Sequence, residues 1–171
     1  MAPSLPEHLR TLSVRAAAPD DAAGAAACIH DAYQHYILRN GKVPGPMLDD
    51  YASLIPDNDV TIVEGNGEIV AVLLVKEGAE GFLLDNIAVV PAYQGTGLGR
   101  YLLELAEEKA KAAGYDSIYL YTQEVMTENR ALYERIGYVE YARRIEIGLN
   151  RIYMRKQLTT GNPAGGTAAG A

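Results

Sequence analysis

The stretch VVPAYQGTGLGRYLL, from Val89 to Leu103, constrains the fold more than any other part of the chain. A hydrophobic run, GFLLDNIAVV, leads into it and is ended by Pro91. Gly95, Gly97 and Gly99 then stand at alternate positions. Beyond them Leu98, Tyr101, Leu102, Leu105 and Ala106 recur at helical spacing, while Glu104, Glu107, Glu108, Lys109 and Lys111 cover much of the other side. Strand, glycine loop and amphipathic helix therefore follow one another. The first turn of such a helix carries unpaired N–H groups and a partial positive charge, which suit an anion, above all a phosphate. Glycine lets the backbone come close to it. Two nucleotide-binding patterns fail on detail. A P-loop requires Lys and then Ser or Thr after its last glycine, but Gly99 is followed by Arg100 and Tyr101. A dinucleotide fingerprint requires G-x-G-x-x-G in an early βαβ unit, but here the order is G-x-G-x-G and several strands precede it.

The remaining elements can be placed around this loop. LSVR, Leu12 to Arg15, reads as a first strand, and Pro19, Asp20 and Asp21 as a helix start. An Ala-rich helix runs to about Leu38, where RNGKVPGP breaks it, and a second short helix is expected over Met47 to Leu54. DVTIVE and EIVAVLLVK form a hairpin about Gly65, Asn66 and Gly67. SIYLYT, Ser117 to Thr122, is a buried strand. TENRALYERIG, Thr127 to Gly137, begins with a capping pattern and reads as a helix. YVEYARRIEI and RIYMRKQL flank GLN, Gly148 to Asn150, as a closing hairpin. The order β, two helices, three strands, helix, strand, helix, two strands implies an α/β (α+β) mixed sheet with helices on its faces.

Length and charge narrow the function. The 171 residues suit one domain, with 49% hydrophobic residues to build its core. Lys and Arg number 15 against 22 Asp and Glu, a net charge of −7. A general nucleic-acid surface is disfavoured, and a cationic partner favoured. No apolar stretch has the length of a membrane span. Residues 1–10 lack the apolar core of a signal peptide and read as a flexible N-terminus, residues 11–158 as the domain, and residues 159–171 as a disordered tail. The single cysteine, Cys28, cannot form an internal disulfide, which fits a cytoplasmic setting. Its position two residues from His30 on a helix does not pair the two side chains, so it reads as a small core thiol.

Gln94, Gly97 and Gly99 have the spacing Q-x-x-G-x-G. This resembles the acetyl-coenzyme A loop of the GNAT superfamily of N-acetyltransferases. LYTQEVMTENRALYERIGYVE is similar to the family's next strand and helix, with the signature N…LY…GY at Asn129, Leu132, Tyr133, Gly137 and Tyr138. The resemblance covers Leu83 to Leu158; the residues before it match in element order only. It implies a mostly antiparallel sheet of roughly six to seven strands, a splayed parallel pair and about four helices. It also implies acetyl-coenzyme A as co-substrate and no metal. Backbone groups of Ile87, Ala88 and Val89 would bond to pantetheine. Gln94 and the segment Gly95, Thr96, Gly97, Leu98, Gly99 and Arg100 would hold the pyrophosphate, and Asn129 would face the cofactor.

The implied reaction is attack of an amine on the thioester in a ternary complex, without an acyl-enzyme. Tyr133 matches the position that protonates the leaving thiolate. An alkyl amine is mostly protonated at neutral pH, so a base is needed. Asp85, which strand alternation would put on one face with Ile87, and Glu124 at the end of the next strand are the two candidates, and the choice stays open. His30, Tyr33, His35 and Tyr36, together with GKVPGP, would line the acceptor site. The expected acceptor is the primary amine of a small molecule, with a peptide or protein N-terminus or lysine as the alternative, and a homodimer is left open. A rival of another class is a non-catalytic acyl-coenzyme A-binding module, against which the presence of Tyr133 argues.

Overall fold

Two-residue turns stitch the sheet together. In the computed structural model, which describes residues 2–41 and 43–159, Asn66 and Gly67 both have positive φ (53° and 78°) and close a hairpin between β2, Asp59–Gly65, and β3, Glu68–Gly78. This is the turn whose twist matches that of its flanking strands, and Asn-Gly is its preferred pair. The other elements are β1, Ser13–Ala16; α1, Ala22–Asn40; α2, Tyr51–Asp57; β4, Gly81–Val89; α3, Leu98–Ala112; β5, Ser117–Gln123; α4, Thr127–Ile136; β6, Val139–Glu146; and β7, Leu149–Gln157. They form a seven-stranded mixed sheet in the order β1-β2-β3-β4-β5-β7-β6, with four α-helices on its faces. The architecture is the one that the resemblance implies.

α3 lays Leu98, Leu102, Leu103 and Ala106 onto Leu73, Val75, Phe82 and Leu84, and Tyr133 of α4 joins this cluster. On the opposite face α1 and α2 pack Ala25, Cys28, Ile29 and Ile55 against Ile62, Val72, Leu74 and Ala88. A fully buried leucine contributes roughly 1.5–3 kcal/mol, before the entropy of ordering it is subtracted.

Every strand pair is antiparallel except β4–β5, which pairs in parallel only at Phe82↔Ile118 and Leu83↔Tyr119. The cause lies next to this short pairing. Leu74 faces Asn86 and Val75 faces Leu84, so Asp85 is the extra residue of a β-bulge. A bulge bends its strand and ends regular pairing, and from Asp85 onward β4 leaves β5. The bulge also reverses the alternation of faces. Leu84 and Ile87 pack with the α3 cluster, whereas Asp85 meets Lys76 on the opposite side of the strand. The expectation that Asp85 and Ile87 share a face is thereby overturned.

Four further expectations shift. Glu7–Leu9 form a 3-10 turn with Leu9 buried, and His8 Nε2 lies 2.7 Å from Thr96 O, so this part of the expected flexible N-terminus is tied to the glycine loop. The second helix begins later than expected because Asp50 caps it, accepting from Ala52 N–H at 3.1 Å. Thr127 does not cap α4; Met126 occupies that position and makes no side-chain cap bond. In the last hairpin the turn is Ile147-Gly148, with φ 52° and 69°, one residue earlier than GLN suggests. A β-branched residue in this left-handed region costs on the order of 1–3 kcal/mol. Of the segment expected to be disordered, 160–171 lies outside the described residues.

Candidate active site

Two cavities open where β4 and β5 part. The first, of about 450 Å³, is walled by Tyr33, Tyr36 and Arg39 of α1, by Ile87, Ala88 and Val89, by Gln94, Gly95 and Gly99 of the loop, and by Asn129, Leu132 and Tyr133 of α4. The second, of about 460 Å³, lies among Pro46, Leu48 and Asp49 before α2, Lys76, Asp85 and Asn86, Tyr121 on β5, and Ile147 and Arg151 around the last hairpin. Tyr33, Ile87, Asn129 and Tyr133 line both, so the two spaces meet at these four residues.

The strand that divides them has polar backbone to offer. Val90 N–H donates to Val70 O at 3.0 Å. Antiparallel alternation then turns the N–H and C=O of Ile87 and Val89 away from β3 and into the gap, while those of Ala88 bond back to β3. Ala88 therefore contributes only its side chain, a correction to the expected trio. The carbonyls are engaged already. The Tyr33 hydroxyl is shared between Ile87 O (3.0 Å) and Asn86 Oδ1 (2.8 Å), and Gln94 Nε2 donates to Val89 O at 3.0 Å. Gln94 thus folds the loop back onto the strand, leaving the N–H groups of Ile87 and Val89 directed into the cleft.

The loop is built for close approach. Gly95 and Gly97 have φ of 76° and 94°, where a side chain is strained, and a Cβ on Gly95 would meet no atom within 4 Å. Gly99 is helical and lines the first cavity. α3 starts from Gly97, which has no capping side chain, and its first intrahelical bond is Tyr101 N–H to Gly97 O at 3.0 Å. The N–H groups of Gly99 and Arg100 have no intrahelical acceptor. Thr96 Oγ1 donates to Tyr93 O at 2.5 Å and so braces the loop rather than facing the cavity. Leu98 is fully buried in the core. The Arg100 side chain is 74% exposed and pairs with Glu104, so only its backbone belongs to the site. Side-chain charge at this wall comes from Arg135 and from the Arg39–Glu128 ion pair, which the sequence leaves unmarked. Arg135 could have been found, since Glu128, Leu132 and Arg135 share one face of α4. Arg39 bonds Glu128 at 2.6 Å, joining α1 to α4 at the cavity wall, and this bond holds the Glu128 carboxyl down at about 2. These features fit a diphosphate-bearing ligand.

Other site residues divide sharply. Tyr133 is 7% exposed, and burial raises its phenol pKa well above the ordinary value, which keeps it protonated. Asp85 is largely buried beside Lys76 at 3.7 Å; burial raises its carboxyl and the ammonium partly offsets the rise. Asp49, across the same cavity, is also raised, first by burial and then by the charge of Asp85. Glu124 is turned to Arg143 (3.4 Å) and Asn150 (3.2 Å) and lines neither cavity. His30 is 60% exposed beside Asp31 and is likewise absent from both. Tyr36 and His35 face the first cavity, not the second. Cys28 is buried outside both, its thiol pushed up to about 12 by burial.

Residues 26–138 match the model of the acetyltransferase (GNAT) family. That is well over half of the chain. This chain belongs to the GNAT family. The GNAT match takes in most of α1, the glycine loop and α4, and stops before the hairpin that carries Ile147. Among curated relatives, the uncharacterized N-acetyltransferase YjgM of Escherichia coli (strain K12) is 32% identical over 108 residues, 58% of this chain and 65% of that protein. The [ribosomal protein bS18]-alanine N-acetyltransferase of Haemophilus influenzae is 33% identical over 75 residues, 44% of this chain and 51% of that protein. The chain thus spans less than two thirds of either relative. Among solved structures, yncA, a putative acetyltransferase from Salmonella typhimurium with its cofactor acetyl-CoA, superposes with a TM-score of 0.66 at 20% identity, covering 88% of this chain and 95% of that one.

Proposed function

We propose that this chain transfers the acetyl group of acetyl-coenzyme A directly to the primary amine of a small molecule. The observation that carries this reading is the meeting of two cavities at Ile87, Asn129 and Tyr133. One has the loop, the helix N-terminus and the arginines suited to a diphosphate; the other has carboxylates suited to an ammonium. The fold neighbour solved with acetyl-CoA supports acetyl-coenzyme A as the co-substrate. A volume of about 460 Å³ is that of a small-molecule site.

Acetyl-coenzyme A, when bound, supplies the thioester whose carbonyl carbon the amine attacks. The Ile87 N–H, at the junction, donates to the thioester oxygen as it gains charge. The Val89 N–H and the Gly99 and Arg100 N–H groups hold the pantetheine and pyrophosphate. Tyr133 gives its proton to the sulfur as the C–S bond breaks. Asp85 takes the proton that the amine sheds. Raised by burial, its carboxyl is a stronger base than an ordinary carboxylate once ionised.

The raised pKa sets the sign of the pH effect. Asp85 is protonated and inactive at low pH, and kcat/KM should climb as the pH rises through its elevated pKa. Asp85→Asn should lower kcat/KM by about a hundredfold and abolish that limb, with acetyl-coenzyme A affinity unchanged by calorimetry. A retained limb would assign the base elsewhere. The bS18-alanine relative favours a second reading, in which the amine is a peptide N-terminus. A panel of small amines and Ala-terminated peptides, scored for thiol release, separates the two.

A further inference from the structure

Seven large apolar side chains are exposed among the described residues, and two of them, Leu48 (72%) and Ile147 (88%), line the second cavity. They approach it from different elements. Leu48 follows the 3-10 turn Gly45–Met47, and Ile147 forms the turn between β6 and β7. The chemistry of that turn makes Ile147 conspicuous. Both turn residues have positive φ, which asks for Asn-Gly, as the β2–β3 turn of this same chain provides at Asn66-Gly67. Isoleucine is among the residues least suited to φ 52°, and at 88% exposure its side chain gains little from packing within the chain. A strained, exposed apolar residue on a cavity wall is a reason to look for a ligand there.

Polar groups line the same cavity. Asp49 and Asp85 supply negative charge beside Asn86. The two cations present are engaged: Lys76 lies 3.7 Å from Asp85, and Arg151 pairs with Glu146 at 2.8 Å while stacking over Tyr121 at 4.6 Å. The cavity thus offers an ammonium Asp49, with Asp85 beside its own Lys76, and an apolar rim for whatever carries it. Of the two rim residues, Leu48 lies within the segment that matches the family model, and Ile147 lies beyond its end at residue 138.

We infer that the acceptor is an amphipathic primary amine, its ammonium at Asp49 and Asp85 and its apolar substituent held between Leu48 and Ile147. The inference rests on the reading of the second cavity as the acceptor site. Covering the two side chains removes apolar surface from water, which favours an alkyl or aryl substituent over a polar one of equal length.

The test compares hexylamine with 2-(2-methoxyethoxy)ethylamine, a chain of similar length interrupted by ether oxygens, on the wild type, Ile147→Asn and Leu48→Asn. Thiol release from acetyl-coenzyme A gives kcat/KM, and calorimetry in the presence of coenzyme A gives amine binding. The wild type should prefer hexylamine by about tenfold or more. Ile147→Asn should lose most of that preference, keep its KM for acetyl-coenzyme A, and melt at an equal or higher temperature because Asn suits the turn. Leu48→Asn should act in the same direction. Equal use of the two amines by the wild type, or a preference untouched in both variants, would overturn the inference and leave the transferase reading standing. Hexylamine binding that weakens in Ile147→Asn without any thiol release would uphold the inferred site and overturn the transferase reading. Turnover of a peptide with neither amine bound would overturn the amphipathic small-molecule acceptor.

Discussion

Tyr133→Phe should turn over at least tenfold more slowly than the wild type while binding acetyl-coenzyme A with little change, since general acid catalysis is typically worth about 10²–10⁴-fold. Tyr133 lines both cavities and is buried against the sheet, with its ring edge-on to Tyr138 at 5.8 Å. The ring packs against the sheet and the hydroxyl is the proposed proton donor, so the Phe variant retains the first and removes the second. Burial disfavours the phenolate, and the hydroxyl keeps its proton across the neutral range. An alkyl thiol has a pKa near 8.5 and a phenol near 10, so transfer from Tyr133 to the thiolate is uphill. A hydrogen bond that strengthens as charge builds on sulfur lowers the barrier nonetheless. The check is single-turnover kinetics beside calorimetry. Wild-type rates with chemistry rate-limiting would leave Tyr133 a packing residue only.

Gly99→Glu should lower acetyl-coenzyme A affinity by at least about a hundredfold, the consequence of placing like charges together at one cavity wall. The position separates folding from binding. Gly99 is helical, without the positive φ of Gly95 and Gly97, and a Cβ there would sit 3.9 Å from Val89 Cγ2, an ordinary contact. A carboxylate in the first turn of α3 is favourable for the helix itself. It would nevertheless occupy the wall of the first cavity and oppose an incoming diphosphate. Calorimetry on the folded variant decides the matter, and unchanged affinity would move the diphosphate away from this loop.

The glycine loop and the helix after it were legible because both are local: spacing alone gives a turn that opens a helix. The element order was legible for the same reason, through alternation in the strands and breakers between them. The bulge at Asp85 was not, because it depends on how β3 pairs with β4, and it alone decides that Asp85 and Ile87 point to opposite sides. Glu124 looked equivalent to Asp85 in sequence, but β7 brings Asn150 to it, and Arg143 of the neighbouring β6 completes its pairing. His30, Tyr33 and Tyr36 stood together as acceptor candidates. The helix turns the first to solvent, the second to the junction and the third to the first cavity. Arg39 and Arg135 reach the first cavity on long side chains from the ends of two helices, a convergence that only the packing of α1 and α4 against the sheet creates.

The proposed direct transfer between two cavities that meet at one strand has a kinetic signature. A covalent route through cysteine is disfavoured, because the one cysteine is buried outside both cavities with its thiol raised to about 12. The most direct measurement is the initial rate of thiol release as acetyl-coenzyme A and hexylamine are varied together, with the acetylated amine identified by mass. Intersecting double-reciprocal lines are expected, since both substrates must be bound before either product forms. Parallel lines with an acetylated enzyme, or no thiol release with any amine, would contradict the account.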